Sequence, residues 1–283
     1  MFVIIGLVVV VGSLMGGYIM AGGDPIVLMQ INEFIIIGGC AIGALMAANS
    51  MTTLKAVMAG VMKTLKGPAV NKDVYLELMQ MLYELFQFAK REGLIALEPH
   101  IEDPESSTIM SKYPTFLANH HGVEFLSDTL KVVLSGGVPA HDLEELMDLD
   151  LEAHHEEEHM APAALTTMAD AFPALGIVAA VLGVVITMGS ISDGPEAVGH
   201  HVAAALVGTF LGVLLSYGIV GPVAKNMEGI VAKESKYLVV IKSALLSFAK
   251  GAPATVAIEY GRRAIDPENR PTFDETEEAI KRG

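Results

Sequence analysis

The chain has 283 residues, 52% of them hydrophobic, with a mean hydropathy of +0.49 and no Trp. That apolarity belongs to an integral membrane protein rather than to a soluble domain. A formal net charge of −15 argues against a nucleic-acid partner, and the single cysteine, Cys40, excludes an intrachain disulfide framework.

A membrane-spanning helix needs about 20 apolar residues, and four segments meet that need. Residues 2–21 carry no charge and lack the basic n-region of a cleaved signal peptide, so they read as a retained span. The second span begins near Phe34 and meets no charge before Lys55. The third covers residues 171–191 and the fourth residues 202–224. All 18 Lys and Arg lie in two places, eight between Lys55 and Lys131 and ten from Lys225 onward. The short connections at 22–33 and 192–201 contain none. By the positive-inside rule the middle segment, the tail and both chain ends are expected in the cytoplasm, with the short connections outside. The expected fold class is all-α, a polytopic membrane protein with a helical cytoplasmic domain. Residues 1–50 hold spans one and two, 51–168 the cytoplasmic domain, 169–224 spans three and four, and 225–283 a helical tail.

Within the middle segment Asp73 is a plausible N-cap. Val74, Leu78, Met81, Leu82, Leu85 and Phe88 follow at helical spacing, and Gly93 ends the helix. Pro104 is expected to open another helix, and Gly136-Gly137 to close one. His141 to His159 reads as an amphipathic helix with Leu143, Leu146, Met147 and Leu151 on its apolar side. There is no sustained period-two alternation, no P-loop and no GxGxxG. Inside that helix, His155-Glu156-Glu157-Glu158-His159 matches the zinc-protease pattern H-E-x-x-H, in which two histidines share one face. A membrane-anchored metalloprotease would also need a third ligand and a buried cleft. Pro162 follows His159 closely, no further histidine extends the pattern on that helix, and the neighbours are acidic. The run therefore reads as a solvated helix face, and no metal is expected.

Small residues recur every four positions on the spans: Gly12 and Gly16, Gly39 and Gly43, then Ala204, Gly208, Gly212 and Ser216. Gly176, Ala180 and Gly183 make a similar face on the third span. Such faces let helices approach closely in lipid. On the first two spans they are expected to pack within one bundle, while the run of four leaves room for a partner helix. No Asp, Glu, Lys, Arg or His lies inside the third or fourth span, and Asp170 and His201 mark their edges. If the chain moves protons, another subunit must bring the carboxylate. Thr187, Thr209 and Ser216 are what these spans offer, with Pro173 and Pro222. The prolines read either as a first-turn residue and a helix stop, or as residues that free backbone carbonyls beside an ion.

The segments DAFPALGIVAAVLGVV and VGTFLGVLLSYGIVGPVA, with GGYIMAGGDP near the start and AIEYGRRAI in the tail, resemble the MotA family of flagellar stator proteins. That family belongs to the superfamily that includes ExbB and TolQ, whose members have three spans. The fourth span and the long middle segment favour MotA over an ExbB/TolQ-type energiser. The resemblance implies a ring of these subunits, a pentamer, around a dimer of MotB, which supplies the ion-binding aspartate. It implies that Pro173 and Pro222 couple ion binding to conformational change, that Thr209 lines the ion path, and that Asp170 belongs to the same pathway. Ala180 stands where sodium-driven relatives carry a threonine, which favours protons as the moving ion, with no cofactor. It also implies that Lys90 or Arg91, with Glu98, meets the rotor protein FliG.

Overall fold

A computed structural model describes residues 2–67, 70–189, 192 and 194–282, and among these every element is helical. The chain forms two units, Met1–Gly67 with Glu157–Ile230, and Pro68–Glu156 with Val231–Gly283.

The first unit carries the membrane helices. Helix α1 (Phe2–Met20) has no fully buried residue; Val3 and Leu7 pack against the cluster around Val57 and Ala224, and much of its remaining apolar surface is left for lipid or for other chains. A single turn over Pro25–Leu28 follows, started by Asp24, whose Oδ1 accepts from the Ile26 amide at 2.9 Å. Helix α2 (Ile31–Ala48) begins two residues before Glu33. Helix α3 (Met51–Lys66) is capped by Ser50, which accepts from the Thr53 amide at 3.2 Å. The sequence division placed α3 with the cytoplasmic domain. It groups here with the membrane helices because Val57 and Val61 pack with Ala161, Ala164, Leu165, Ala224 and Met227. Four helices are long and apolar enough to cross a membrane: Phe2–Met20, Pro25–Ala48, and stretches of Ala140–Gly189 and His201–Ala249. Ile191, the expected end of the third span, lies outside the described residues.

Two prolines behave differently from the boundary readings given to them. Helix α8 (Ala140–Gly189) is continuous for 50 residues, with Pro162 and Pro173 inside it. Pro173 is therefore not a first-turn residue. Helix α9 (Pro195–Val213) runs into a π-helical stretch, Leu214–Val220, and then into α10 (Gly221–Ala249). Pro222 does not stop the fourth span. A proline in mid-helix would strike the carbonyl four residues back. Here the Gly221 amide donates to the carbonyl of Ser216, five residues back. The wider turn takes up the ring and lets the helix continue.

In the second unit α4 (Lys72–Glu92) starts two residues earlier than expected: Asn71, not Asp73, is the N-cap, and its Oδ1 accepts from the Val74 amide at 3.0 Å. Its core face is as predicted, with Leu78, Met81, Leu82 and Leu85 fully buried and Val74 and Phe88 at the margin. Gly93 closes it at φ +95°, a conformation that only glycine adopts without strain. After the short α5 (Glu98–Glu102), Pro104 sits in a turn and opens no helix. Helix α6 (Pro114–Leu117) leads into α7 (His120–Ser135), which Gly136 ends. Leu143 and Met147 at the start of α8 are buried as expected, whereas Leu146 is exposed.

The tail is helical too: α11 (Ala254–Ala264) and α12 (Phe273–Arg282). Phe86 of α4 stacks on Phe248 of α10 at 4.3 Å. The motif AIEYGRRAI is structural. Ala257, Ile258 and Ile265 enter the core, and Glu259 takes hydrogen bonds from Arg262 and from Arg263 at 2.7 Å. Those hydrogen bonds, Arg262 first, hold the Glu259 carboxyl far below the usual range, at about 2.

Candidate functional site

The membrane unit brings α8 and α9 unusually close. A Cβ on Gly176 would lie 2.7 Å from the Gly208 carbonyl oxygen, and one on Gly212 would lie 2.5 Å from that of Phe172. Gly183 meets Ala205 in the same way, at 2.7 Å. Small residues are the condition for this backbone contact. The expectation about these faces is thus reversed: the third and fourth spans use theirs within the chain. Gly12, Gly16, Gly39 and Gly43 have nothing within 4 Å of a Cβ position and remain open to other chains.

Three of the predicted ion-path residues lie on this seam. The Ala180 amide nitrogen is 3.2 Å from the Cβ position of Gly208, so Ala180 and Thr209 stand at the same level on facing helices. Pro173 follows Phe172, the residue whose carbonyl touches Gly212. It lies seven residues, about 10 Å along the axis, from Ala180. Having no amide hydrogen, it leaves the carbonyl of Ala169 without its helical donor. Asp170 is exposed one turn earlier. Pro222 sits apart from this group, in the first turn of α10 just beyond the π-helical stretch. Thr187 is fully buried, with its hydroxyl donating to the Gly183 carbonyl at 2.8 Å.

Sequence reasoning missed Glu33. Assigned to an outside connection, it lies instead in the first turn of α2 and is buried. Its position one residue before the apolar run was the available signal.

His155 and His159 meet different neighbours. His155 Nδ1 lies 3.3 Å from Ser235 Oγ, and His159 Nε2 is 3.9 Å from Glu228. Among the described residues no third ligand joins the two.

Lys90, Arg91 and Glu98 are all exposed, at the end of α4 and the start of α5. Among the described residues none of them is in an ion pair. Ile95, 77% exposed, lies between them. A shallow cleft of about 300 Å³ beside Glu98 is lined by Ile95, Ile101, Lys131 and Leu134. Behind this face His100 is buried, its Nδ1 2.8 Å from Ser107 Oγ and its ring edge-on to Phe88 at 4.9 Å.

Burial pushes the His100 imidazole below its ordinary value, outweighing the nearby Glu84 carboxylate. A histidine with a lowered folded pKa favours folding when neutral, so stability is complete above about pH 6.5 and is lost as pH falls below it. We expect the unfolding midpoint of the detergent-solubilised protein to drop between about pH 7 and pH 5. The drop should shrink in His100→Gln. An equal pH slope in the variant would rule His100 out as the source.

Residues 4–93 match the family described as motility protein A N-terminal, and residues 118–239 match the MotA/TolQ/ExbB proton channel family. The chain is 36% identical to motility protein A of Salmonella typhimurium over 282 residues, 99% of this chain and 95% of that protein. The chain belongs to the motility protein A family. Motility protein A of Escherichia coli matches to the same extent, and chemotaxis protein LafT of Vibrio parahaemolyticus is 35% identical over 96% of each chain. The MotAB structure from C. jejuni shares the fold, with a TM-score of 0.78 at 22% identity over 96% of this chain and 98% of that one. The flagellar MotAB stator complex from Bacillus subtilis gives 0.71 at 25% identity, over 90% and 92%. Membership bears out the all-α, multi-pass inner-membrane protein and the stator-type ion-channel subunit read from the sequence. The match of 4–93 to the motility family decides against an ExbB/TolQ-type energiser.

Proposed function

We propose that this chain joins a MotB-like membrane subunit to form a proton channel that drives torque on the flagellar rotor. The observation that carries the proposal is the α8–α9 seam. Its backbones touch at Gly176, Gly208 and Gly212 and it bears Pro173, Ala180 and Thr209, yet residues 171–189 and 202–224 contain no Asp, Glu, Lys, Arg or His. A path along it takes its ion-binding carboxylate from the partner. Ala180 puts a methyl group where a hydroxyl would help to strip water from sodium, which favours protons. The copies ring a dimer of the partner as a pentamer, and both chain ends lie in the cytoplasm, where Lys and Arg concentrate. Asp170, exposed at the start of the third span, stands at the cytoplasmic end of the path. Pro222 and the π-helical stretch before it relay motion toward α10.

Lys90, Arg91 and Glu98 are assigned to the rotor protein FliG. One charge crossing the membrane releases about 2.3 kcal/mol per 100 mV, whereas an exposed ion pair is worth roughly 0.2–1 kcal/mol. Contacts of that size form and break at each step without absorbing the driving force.

The test is complementation of a non-swimming strain that lacks its own motility protein A, with the partner co-expressed. Swimming should return, at a speed unchanged across sodium concentrations at fixed membrane potential and pH. Lys90→Glu combined with Arg91→Glu should cut torque severalfold at unchanged membrane level. Speed that tracks sodium would refute the proton assignment.

A further inference from the structure

Glu33 is left without a task by the reading above. It is 6% exposed, in the first turn of α2, and among the described residues its Oε2 has no hydrogen-bond partner. The carboxyl occupies the space that Gly208 leaves open on α9, where a Cβ would lie 2.6 Å from Oε2. That same position is 3.2 Å from both the Ala179 Cβ and the Ala180 amide nitrogen of α8. Gly208 directly precedes Thr209. One carboxyl therefore meets the α8–α9 seam at the level of Ala180 and Thr209.

A structural role explains this poorly. An acid in the first turn of a helix gains its favourable interaction with the helix dipole while still solvated, so the dipole gives no reason for burial. Burying a carboxyl with an unsatisfied oxygen is costly, and an apolar side chain would fill the site at no such cost. Inside a membrane bundle, an ionisable side chain turned toward the interior marks a route for ions or protons. Among the described residues, Asp170, Glu196 and the lysines of α3 on helices near α2 are exposed, and His201 is half-buried. None of these is buried as Glu33 is.

We propose that Glu33 is a second proton carrier of the path, supplied by this chain itself. Its place in the first turn of α2, next to the short outside connection, puts it on the outer side of the partner's carboxylate. It accepts a proton from the outer water and passes one, through water or the Thr209 hydroxyl, to that carboxylate. One proton binds and one leaves in each cycle, so the Glu33 carboxylate is restored and no other bond changes. The proposal rests on the proton-channel reading above.

The experiment measures proton flux into vesicles holding the complete complex under an imposed membrane potential, for the natural chain, Glu33→Gln and Glu33→Asp. Gln keeps the shape of the side chain but carries no exchangeable carboxyl proton. Flux should fall at least tenfold in Glu33→Gln and recover to within about threefold in Glu33→Asp, with equal amounts of assembled complex. Equal flux in the natural chain and Glu33→Gln overturns the proposal, and no flux from the natural chain overturns the channel reading instead. A measurement on the natural chain covers the case in which Glu33→Gln fails to assemble. Treatment of the intact complex with an apolar carbodiimide, which modifies protonated carboxyls, should label Glu33 and block flux in parallel. Labelled Glu33 with undiminished flux, or a Glu33 that takes no label at all, would overturn the assignment.

Discussion

Pro173→Ala is expected to abolish swimming while leaving the protein in the membrane at its normal level. Pro173 lies inside α8, where its ring denies the Ala169 carbonyl its helical donor. Alanine restores that hydrogen bond and favours the helix by about 3 kcal/mol over proline. A proton crossing 100 mV supplies about 2.3 kcal/mol. The substitution would thus stiffen the seam beside Gly212 by as much as each ion can spend in moving it. Folding gains and coupling loses, so thermal stability should rise as torque disappears. Tethered-cell torque and membrane immunoblots read the two effects separately. Torque equal to the natural protein would remove Pro173 from the coupling step.

Much of this architecture was legible in the chain, and the failures share a physical cause. The four spans, the helical punctuation at Gly93 and Gly136, and the core face of α4 follow from long apolar runs and regular spacing, signals that tertiary packing reinforces. The boundary readings of Pro173 and Pro222 failed because a proline ends only an isolated helix. In a bundle, neighbouring helices and a π-helical turn satisfy the freed carbonyls, and the helix runs on. Glu33 was misread by a related shortcut, the use of a charge to mark where a span begins. A buried carboxyl facing Gly208 depends on which helix lies opposite, and no window of sequence around residue 33 contains that information. The glycine faces likewise showed that close contacts exist, but not which pairs of helices make them.

Gly212→Ala tests the seam from the other side. The added Cβ would sit 2.5 Å from the Phe172 carbonyl oxygen and 2.9 Å from the Gly176 Cα, both of them backbone atoms. No rotamer change relieves such a contact, so α8 and α9 must move apart by about 1 Å to regain van der Waals distance. Overpacking of this kind costs about 1–3 kcal/mol and sometimes more. Gly229→Ala is the matched control, since it lies in α10 with nothing within 4 Å of its Cβ position. It should gain up to about 1 kcal/mol from helix propensity alone. Unfolding in detergent should therefore shift down for Gly212→Ala and slightly up for Gly229→Ala. Torque should be lost in the first variant and kept in the second. A widened seam also draws Gly208 away from Glu33, so proton flux should fall together with torque. Normal torque in Gly212→Ala, at reduced stability, would mean that the tight α8–α9 contact serves folding and takes no part in coupling.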